Sequence, residues 1–131
     1  MDQIGVHLRH GIDMVDISRF KALLSRHGEK AVNRLFTDGE RDYCKRFSGQ
    51  MAQHFAVRFA AKEAVLKALG TGLGLGMRWR DVEIQRGESG EPSVVLHGRV
   101  REVFEGLGLS RVVVSLTHTE HSAVASVLLM G

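Results

Sequence analysis

The stretch from Arg58 to Gly76, RFAAKEAVLKALGTGLGLG, limits what this chain can become more than any other. It reads as the second half of a helix from about Met51 to Leu69, stopped by Gly70, because glycine takes the left-handed conformation that closes a helix without steric cost. At about 100° per residue, Phe55, Phe59, Leu66 and Leu69 gather on one side. Between them Ala60, Ala61, Ala64 and Ala68 supply compact, strongly helix-forming positions, so this side is expected to face a core. Glu63 and Lys67 are neighbours on the edge of the stripe, and Lys62 lies on its other shoulder. Three charges bordering a buried face can be read in two ways. One is an ordinary helix ion pair worth about 0.2–0.5 kcal/mol; the other is a carboxylate and two amines at the mouth of a phosphate or metal site.

The segments around this helix predict its setting. Ile4, Val6, Leu8, His10 and Ile12 alternate with more polar residues, which predicts an opening strand with that set on its buried face. Asp13 follows at once, and Asp16 or Ser18 can cap a helix from Ile17 to His27 with Ile17, Phe20 and Leu24 inward and Arg19, Lys21 and Arg26 outward. Gly28 ends that helix, and a short amphipathic piece spans Glu29 to Phe36. Thr37-Asp38-Gly39-Glu40 has the spacing of a capping box, opening a helix that turns Tyr43, Cys44 and Phe47 inward. Later, Val82 and Ile84, a turn-rich Gly87 to Pro92, and Val94 to Leu96 predict a hairpin. A helix marked by Val100, Val103, Phe104 and Leu107 follows. Arg111 to Leu116 and Ala123 to Leu129 read as central antiparallel strands joined by a polar turn. Helices come mostly first and strands mostly last, which predicts an α+β fold with helices packed on an antiparallel sheet.

At 131 residues the chain is expected to form one domain with a core of its own. No apolar run approaches the ~20 residues of a membrane span, and Met1 to Ile12 lacks the unbroken apolar centre of a signal peptide. The lone Cys44 precludes an internal disulfide and fits a reducing cytoplasm. A net charge of +3 favours acidic partners without choosing among nucleic acid, a phosphorylated cofactor and an acidic protein.

Individual residues narrow the choice. Gly70, Gly72, Gly74 and Gly76 follow a helix, whereas phosphate-binding loops place their glycines between a strand and a helix start; they read as a helix stop and a loop. Asp13 is by itself a helix-start aspartate. Paired with Glu63, it would offer the oxygen-only donors that Mg²⁺ prefers. His118 and His121 lack the partners of a zinc site, which leaves His118 a turn residue or a phosphate contact.

Three separated stretches then read together: Gly11-Ile12-Asp13 with Arg19, Arg58 to Ala64 with Lys67 to Gly72, and Val114 to Thr119. In order and spacing they resemble the holo-[acyl-carrier-protein] synthases, the short class of 4′-phosphopantetheinyl transferases. The resemblance spans nearly the whole chain and includes Phe36-Thr37 with Glu40 and Tyr43, Trp79 to Ile84, and Gly90-Glu91-Pro92. It implies a 4′-phosphopantetheinyl transferase-like fold, a homotrimer with coenzyme A in clefts between subunits, and transfer of phosphopantetheine to a serine of apo acyl carrier protein. It further implies Mg²⁺ on Asp13 and Glu63, with Glu63 and Lys67 catalytic. Arg58, Lys62, Gly70, Thr71, Gly72 and His118 would contact the cofactor, and Arg19 and Arg26 the carrier protein. Arg9-His10 stands where the family usually has a glycine, which implies altered backbone packing beside Asp13.

Two other readings stand beside this one. A nucleic-acid-binding module could use Lys45, Arg46, Arg78, Arg80, Arg99 and Arg101, although these are scattered and aromatic residues make up only 6%, too few for a stacking platform. The other is a relative that keeps the fold and trimer without turnover.

Overall fold

The structure, a computed structural model, describes residues 7–131. Its elements run β1 (Leu8–Asp16), α1 (Ile17–Leu35), α2 (Asp38–Cys44), α3 (Met51–Leu69), a 3₁₀ turn (Trp79–Asp81), β2 (Val82–Arg86), β3 (Pro92–Leu96), α4 (Gly98–Gly106), β4 (Arg111–His118) and β5 (Ser122–Met130). Three strands form an antiparallel sheet in the order β1-β5-β4, and β2 and β3 form a separate hairpin. β5 is therefore the central strand and β4 an edge of its ladder, with β3 packed alongside. The α+β expectation holds.

α3 runs as expected from Met51 to Leu69, and its cap Gly70 is left-handed at φ 80. Its surroundings differ from the expected single stripe. Twelve of its residues are buried, spread around the whole helix, because α3 lies across the inner face of the sheet and is enclosed by α1, α2 and β2 on its other sides. The alanines make this possible: Ala60, Ala61 and Ala64 have no exposed surface, and backbone meets backbone across them. The tightest point is Gly11 on β1, where a Cβ would stand 2.0 Å from the carbonyl oxygen of Ala64.

The phase of β1 reverses the expectation. Leu8 and Ile12 are 52% and 55% exposed, and Met14 is 68% exposed, whereas Arg9, Gly11, Asp13 and Val15 turn toward the body of the protein. The alternation was legible but its buried side was not, since both faces of this strand carry apolar residues and only α3 decides which one is covered. Ile4 and Val6 lie outside the described residues. The strand also continues through Asp13, which is thus a strand residue, and ends at Asp16, whose carboxylate accepts the Arg19 N–H at 2.9 Å as the cap of α1.

Gly28 divides α1, with φ 64 and ψ −151 inside the helix, a backbone conformation that side-chain-bearing residues rarely adopt. The capping box that opens α2 is formed: Glu40 N–H donates to Thr37 Oγ1 at 3.2 Å, and Thr37 N–H donates to Glu40 Oε1 at 2.9 Å. Between α1, α2 and α3, Phe20, Phe36, Phe55 and Phe59 form an aromatic cluster; Phe20 stacks on Phe59 with ring centres 5.0 Å apart. Cys44 is enclosed there, and burial pushes its thiol up to about 12, which leaves it protonated and unreactive.

Candidate active site

Two elements that are far apart in sequence meet at one groove. β1 contributes Asp13 from its inner face, and α3 contributes Glu63 and Lys67 from the flank that faces β1. Lys67 Nζ lies 2.7 Å from Asp13 Oδ1 and also donates to the Ile12 carbonyl at 3.2 Å. The ammonium remains open, its side chain 56% exposed, while the Asp13 side chain is only 15% exposed. Hydrogen bonding to Asp13 raises the Lys67 pKa and keeps it charged. Burial raises the Glu63 pKa, and repulsion from Asp13 adds to it, against the opposing pull of Lys67. Asp13 and Glu63 on one groove, beside one fixed ammonium, form a site suited to a further cation.

Asp13 and Glu63 open into a groove of about 570 Å³ whose other wall is α1, lined there by Arg19, Leu23, Arg26 and His27. Arg19 and Arg26, expected on the outer face of α1, therefore lie in the same groove as the two carboxylates. Lys21, expected beside them, lines a different depression with Glu29 and Lys45. Phe20, Leu23, His27 and Phe59 carry the groove onward into a second one of about 410 Å³, which is bounded by Lys30, Arg34 and Trp79.

The remaining expected residues lie elsewhere. Lys62 has no exposed surface: its ammonium is 2.8 Å from Glu40 Oε1, donates to the Trp79 carbonyl at 3.1 Å and also to that of Val82. Burial lowers its pKa, and Glu40 opposes the shift. Three acceptors around one nitrogen match the three donors of an ammonium. Arg58 is 1% exposed, with its guanidinium 4.3 Å from the centre of the Tyr43 ring and donating to the His54 carbonyl at 3.2 Å. Neither lines a groove within one chain; α3 is enclosed on all sides there, which buries both cations. His118 is exposed at the end of β4 and borders a small pocket with Gln53, His54 and Arg86, separate from the Asp13 groove. Gly70, Thr71 and Gly72 are exposed just beyond α3.

Sequence reasoning missed Arg9. Its guanidinium donates to the Leu69 carbonyl at 3.1 Å and the Ala68 carbonyl at 3.4 Å, so it caps the C-terminal end of α3 where unpaired carbonyls carry partial negative charge. His10 points to the opposite face and meets Ser126 Oγ at 3.0 Å. The close packing beside Asp13 is thus supplied by Gly11, and the side chains at 9 and 10 are accommodated.

Residues 9–123 match the model of the 4′-phosphopantetheinyl transferase superfamily. The chain belongs to this superfamily. Among its relatives, the holo-[acyl-carrier-protein] synthase of Geotalea daltonii is 46% identical over 121 residues, which covers 91% of this chain and 94% of the relative. The crystal structure of the holo-[acyl-carrier-protein] synthase from Neisseria meningitidis superposes with a TM-score of 0.85 at 30% identity, covering 92% of this chain and 96% of that one. A Bacillus anthracis holo-(acyl-carrier-protein) synthase, solved in complex with CoA (3′,5′-ADP), superposes with a TM-score of 0.79 at 30% identity over 96% and 98% of the two chains. The chain is an enzyme, a phosphopantetheinyl transferase.

Among the described residues, no three His, Cys, Asp or Glu side chains come together as a complete metal cage. Asp13 and Glu63 would supply part of an oxygen shell and leave the rest open, which is how Mg²⁺ is usually held beside a phosphorylated substrate. The donor set fits that ion.

Proposed function

We propose that this enzyme moves the 4′-phosphopantetheine arm of coenzyme A to a serine hydroxyl of an apo acyl carrier protein and releases adenosine 3′,5′-bisphosphate. The observation that carries the proposal is the groove that joins Asp13, Glu63 and Lys67 to the arginine-bearing face of α1. Asp13 and Glu63 would hold Mg²⁺, which supplies charge neutralisation at the pyrophosphate. Phosphoryl transfer depends on positioned charge more than on covalent chemistry. Lys67 fits that need: it is exposed at its tip and fixed at its base by Asp13 and the Ile12 carbonyl. Glu63 would take the proton from the serine hydroxyl through a bridging water, and Gly70, Thr71 and Gly72, exposed beyond α3, would border the path of the nucleotide.

His118 would meet the nucleotide end from a neighbouring subunit. Within one chain its pocket is separate from the Asp13 groove, as a cleft shared between subunits requires. The outer face of the sheet supports assembly, because Leu8, Ile12, Met14 and Val113 leave apolar surface uncovered there. We assign a homotrimer, to be checked by light scattering at micromolar concentration; a fully active monomer would remove the shared cleft. The protonated, enclosed thiol of Cys44 is compatible with a cytoplasmic enzyme.

Carrier docking provides the test. Arg19 and Arg26 are exposed on one side of α1 with Leu23 between them, an arrangement suited to an acidic helix with an apolar contact. Rim charges act chiefly on encounter and specificity. Transfer should therefore weaken with salt through KM, since the screening length falls from about 10 Å at 0.1 M to about 3 Å at 1 M. Arg19→Glu is expected to raise the carrier's KM by about tenfold or more, to flatten the salt dependence and to leave coenzyme A binding unchanged. If the variant instead weakened coenzyme A binding at constant carrier KM, α1 would belong to the nucleotide.

A further inference from the structure

Lys62 and Glu63 are consecutive on α3 and point about 100° apart, one into the protein and the other into the groove. Besides Lys62, α3 buries Ala60, Ala61, Ala64 and Ala68 together with Phe55, Val65, Leu66 and Leu69. Apolar contacts are non-directional. The bonds of Lys62 are directional. Its ammonium engages Glu40 at 2.8 Å, the Trp79 carbonyl at 3.1 Å and the Val82 carbonyl. Glu40 in turn accepts the Thr37 N–H through Oε1 and the Ile84 N–H through Oε2, each at 2.9 Å. One buried node thus ties the first turn of α2, the 3₁₀ turn and β2 to a single position on α3.

Stability alone is a weak reason for such a node. Enclosing two charges costs desolvation, and well-packed neutral replacements for buried ion pairs are often as stable or more so. A fully satisfied polar cluster does, however, fix one arrangement where apolar contacts would tolerate several. We propose that the Lys62–Glu40 pair is a positioning device that sets the rotation of α3 and so aims Glu63 at Asp13 across the groove. The inference rests on the role given to Glu63 above. It also makes Lys62, expected to contact the cofactor, a residue that acts through its neighbour without touching substrate.

Removing only the lysine would strand a buried carboxylate and endanger folding, so the test neutralises both partners. In Glu40→Gln with Lys62→Met, the glutamine oxygen keeps one of the two backbone N–H bonds that Glu40 accepts from Thr37 and Ile84, while its NH2 group replaces the acceptor of the other. This double variant should stay folded with a lowered unfolding midpoint and, assayed well below it, keep the native KM for coenzyme A, while kcat falls about 10–100-fold, the usual effect of loosening a group that orients a ligand residue. Mn²⁺ titration with coenzyme A present, followed by electron paramagnetic resonance, should show affinity weakened about tenfold. Native kcat and Mn²⁺ affinity in the double variant would overturn the inference. So would failure to fold, which would make the pair a stability element. Glu63→Gln, measured alongside, tests the reading beneath: were it fully active, Glu63 itself would be misassigned whatever the double variant did.

Discussion

Alanine at Asp13 or at Glu63 should abolish transfer, lowering kcat/KM on the order of 10³-fold or more, with the fold intact. Asp13 lies on the inner face of β1 with a side chain only 15% exposed, and Glu63 faces it from α3, so each is held by a rigid element. Neither is a major core residue, and the loss should leave the unfolding midpoint close to native. The two should also act as a unit. If they share one ion, the double variant should be little worse than either single one, because removing the second half of a site already lost has little further effect. Chelation of divalent cations should reproduce the same loss in the native enzyme, and Mg²⁺ should restore it. Steady-state transfer assays on the four proteins decide the matter: multiplicative losses in the double variant would separate the two carboxylates into independent roles.

Gly11→Val is expected to be the most damaging single change to the fold. Even the first carbon of a side chain would stand 2.0 Å from the Ala64 carbonyl oxygen and 3.0 Å from the Ala68 nitrogen, and both are backbone atoms of a helix that cannot yield locally. Relief requires α3 to move away from β1. Overpacking of this kind costs about 1–3 kcal/mol in ordinary cores and more where backbone meets backbone, so a fall in unfolding midpoint on the order of 10 °C is expected. Activity should fall further than stability, since the same displacement parts Glu63 and Lys67 from Asp13. Gly11→Ala should show both effects in milder form, measured by circular dichroism and by transfer. A native midpoint in Gly11→Val would mean that the strand and helix are not seated as closely as described.

The sequence conveyed periodicity and punctuation well. The cap at Gly70, the capping box of Thr37 and Glu40, the break at Gly28 and the hairpin around Gly87 to Pro92 are all local chemistry, and each appears in place. Facing was harder to read. β1 has apolar residues on both sides, and its covered side is fixed by a helix some fifty residues on, through a contact at Gly11 that no alternation reveals. Helix periodicity places Lys62 beside the core because it assumes one solvent-facing side, whereas α3 is buried around most of its circumference. Its partner Glu40 was recognised for the capping box, yet nothing local announced that the same carboxylate would also hold Ile84 and an ammonium. The separation of His118 from the Asp13 groove also lay beyond sequence, since spacing along a chain does not say which pocket a turn residue borders.

The break at Gly28 gives α1 two parts with different freedoms to vary. The part before it carries Arg19 and Arg26, is anchored at Asp16 at the end of the strand of Asp13, and lines the groove of Asp13 and Glu63. The part after it carries Lys30 and Arg34 along the second groove, beside Trp79. Because the turn at Gly28 interrupts the helical ladder, substitutions at Lys30 or Arg34 need not be transmitted to the first part. The lining of the far groove can therefore vary while the part that faces Asp13 and Glu63 stays under its own constraints, so that two surfaces of one helix drift at separate rates.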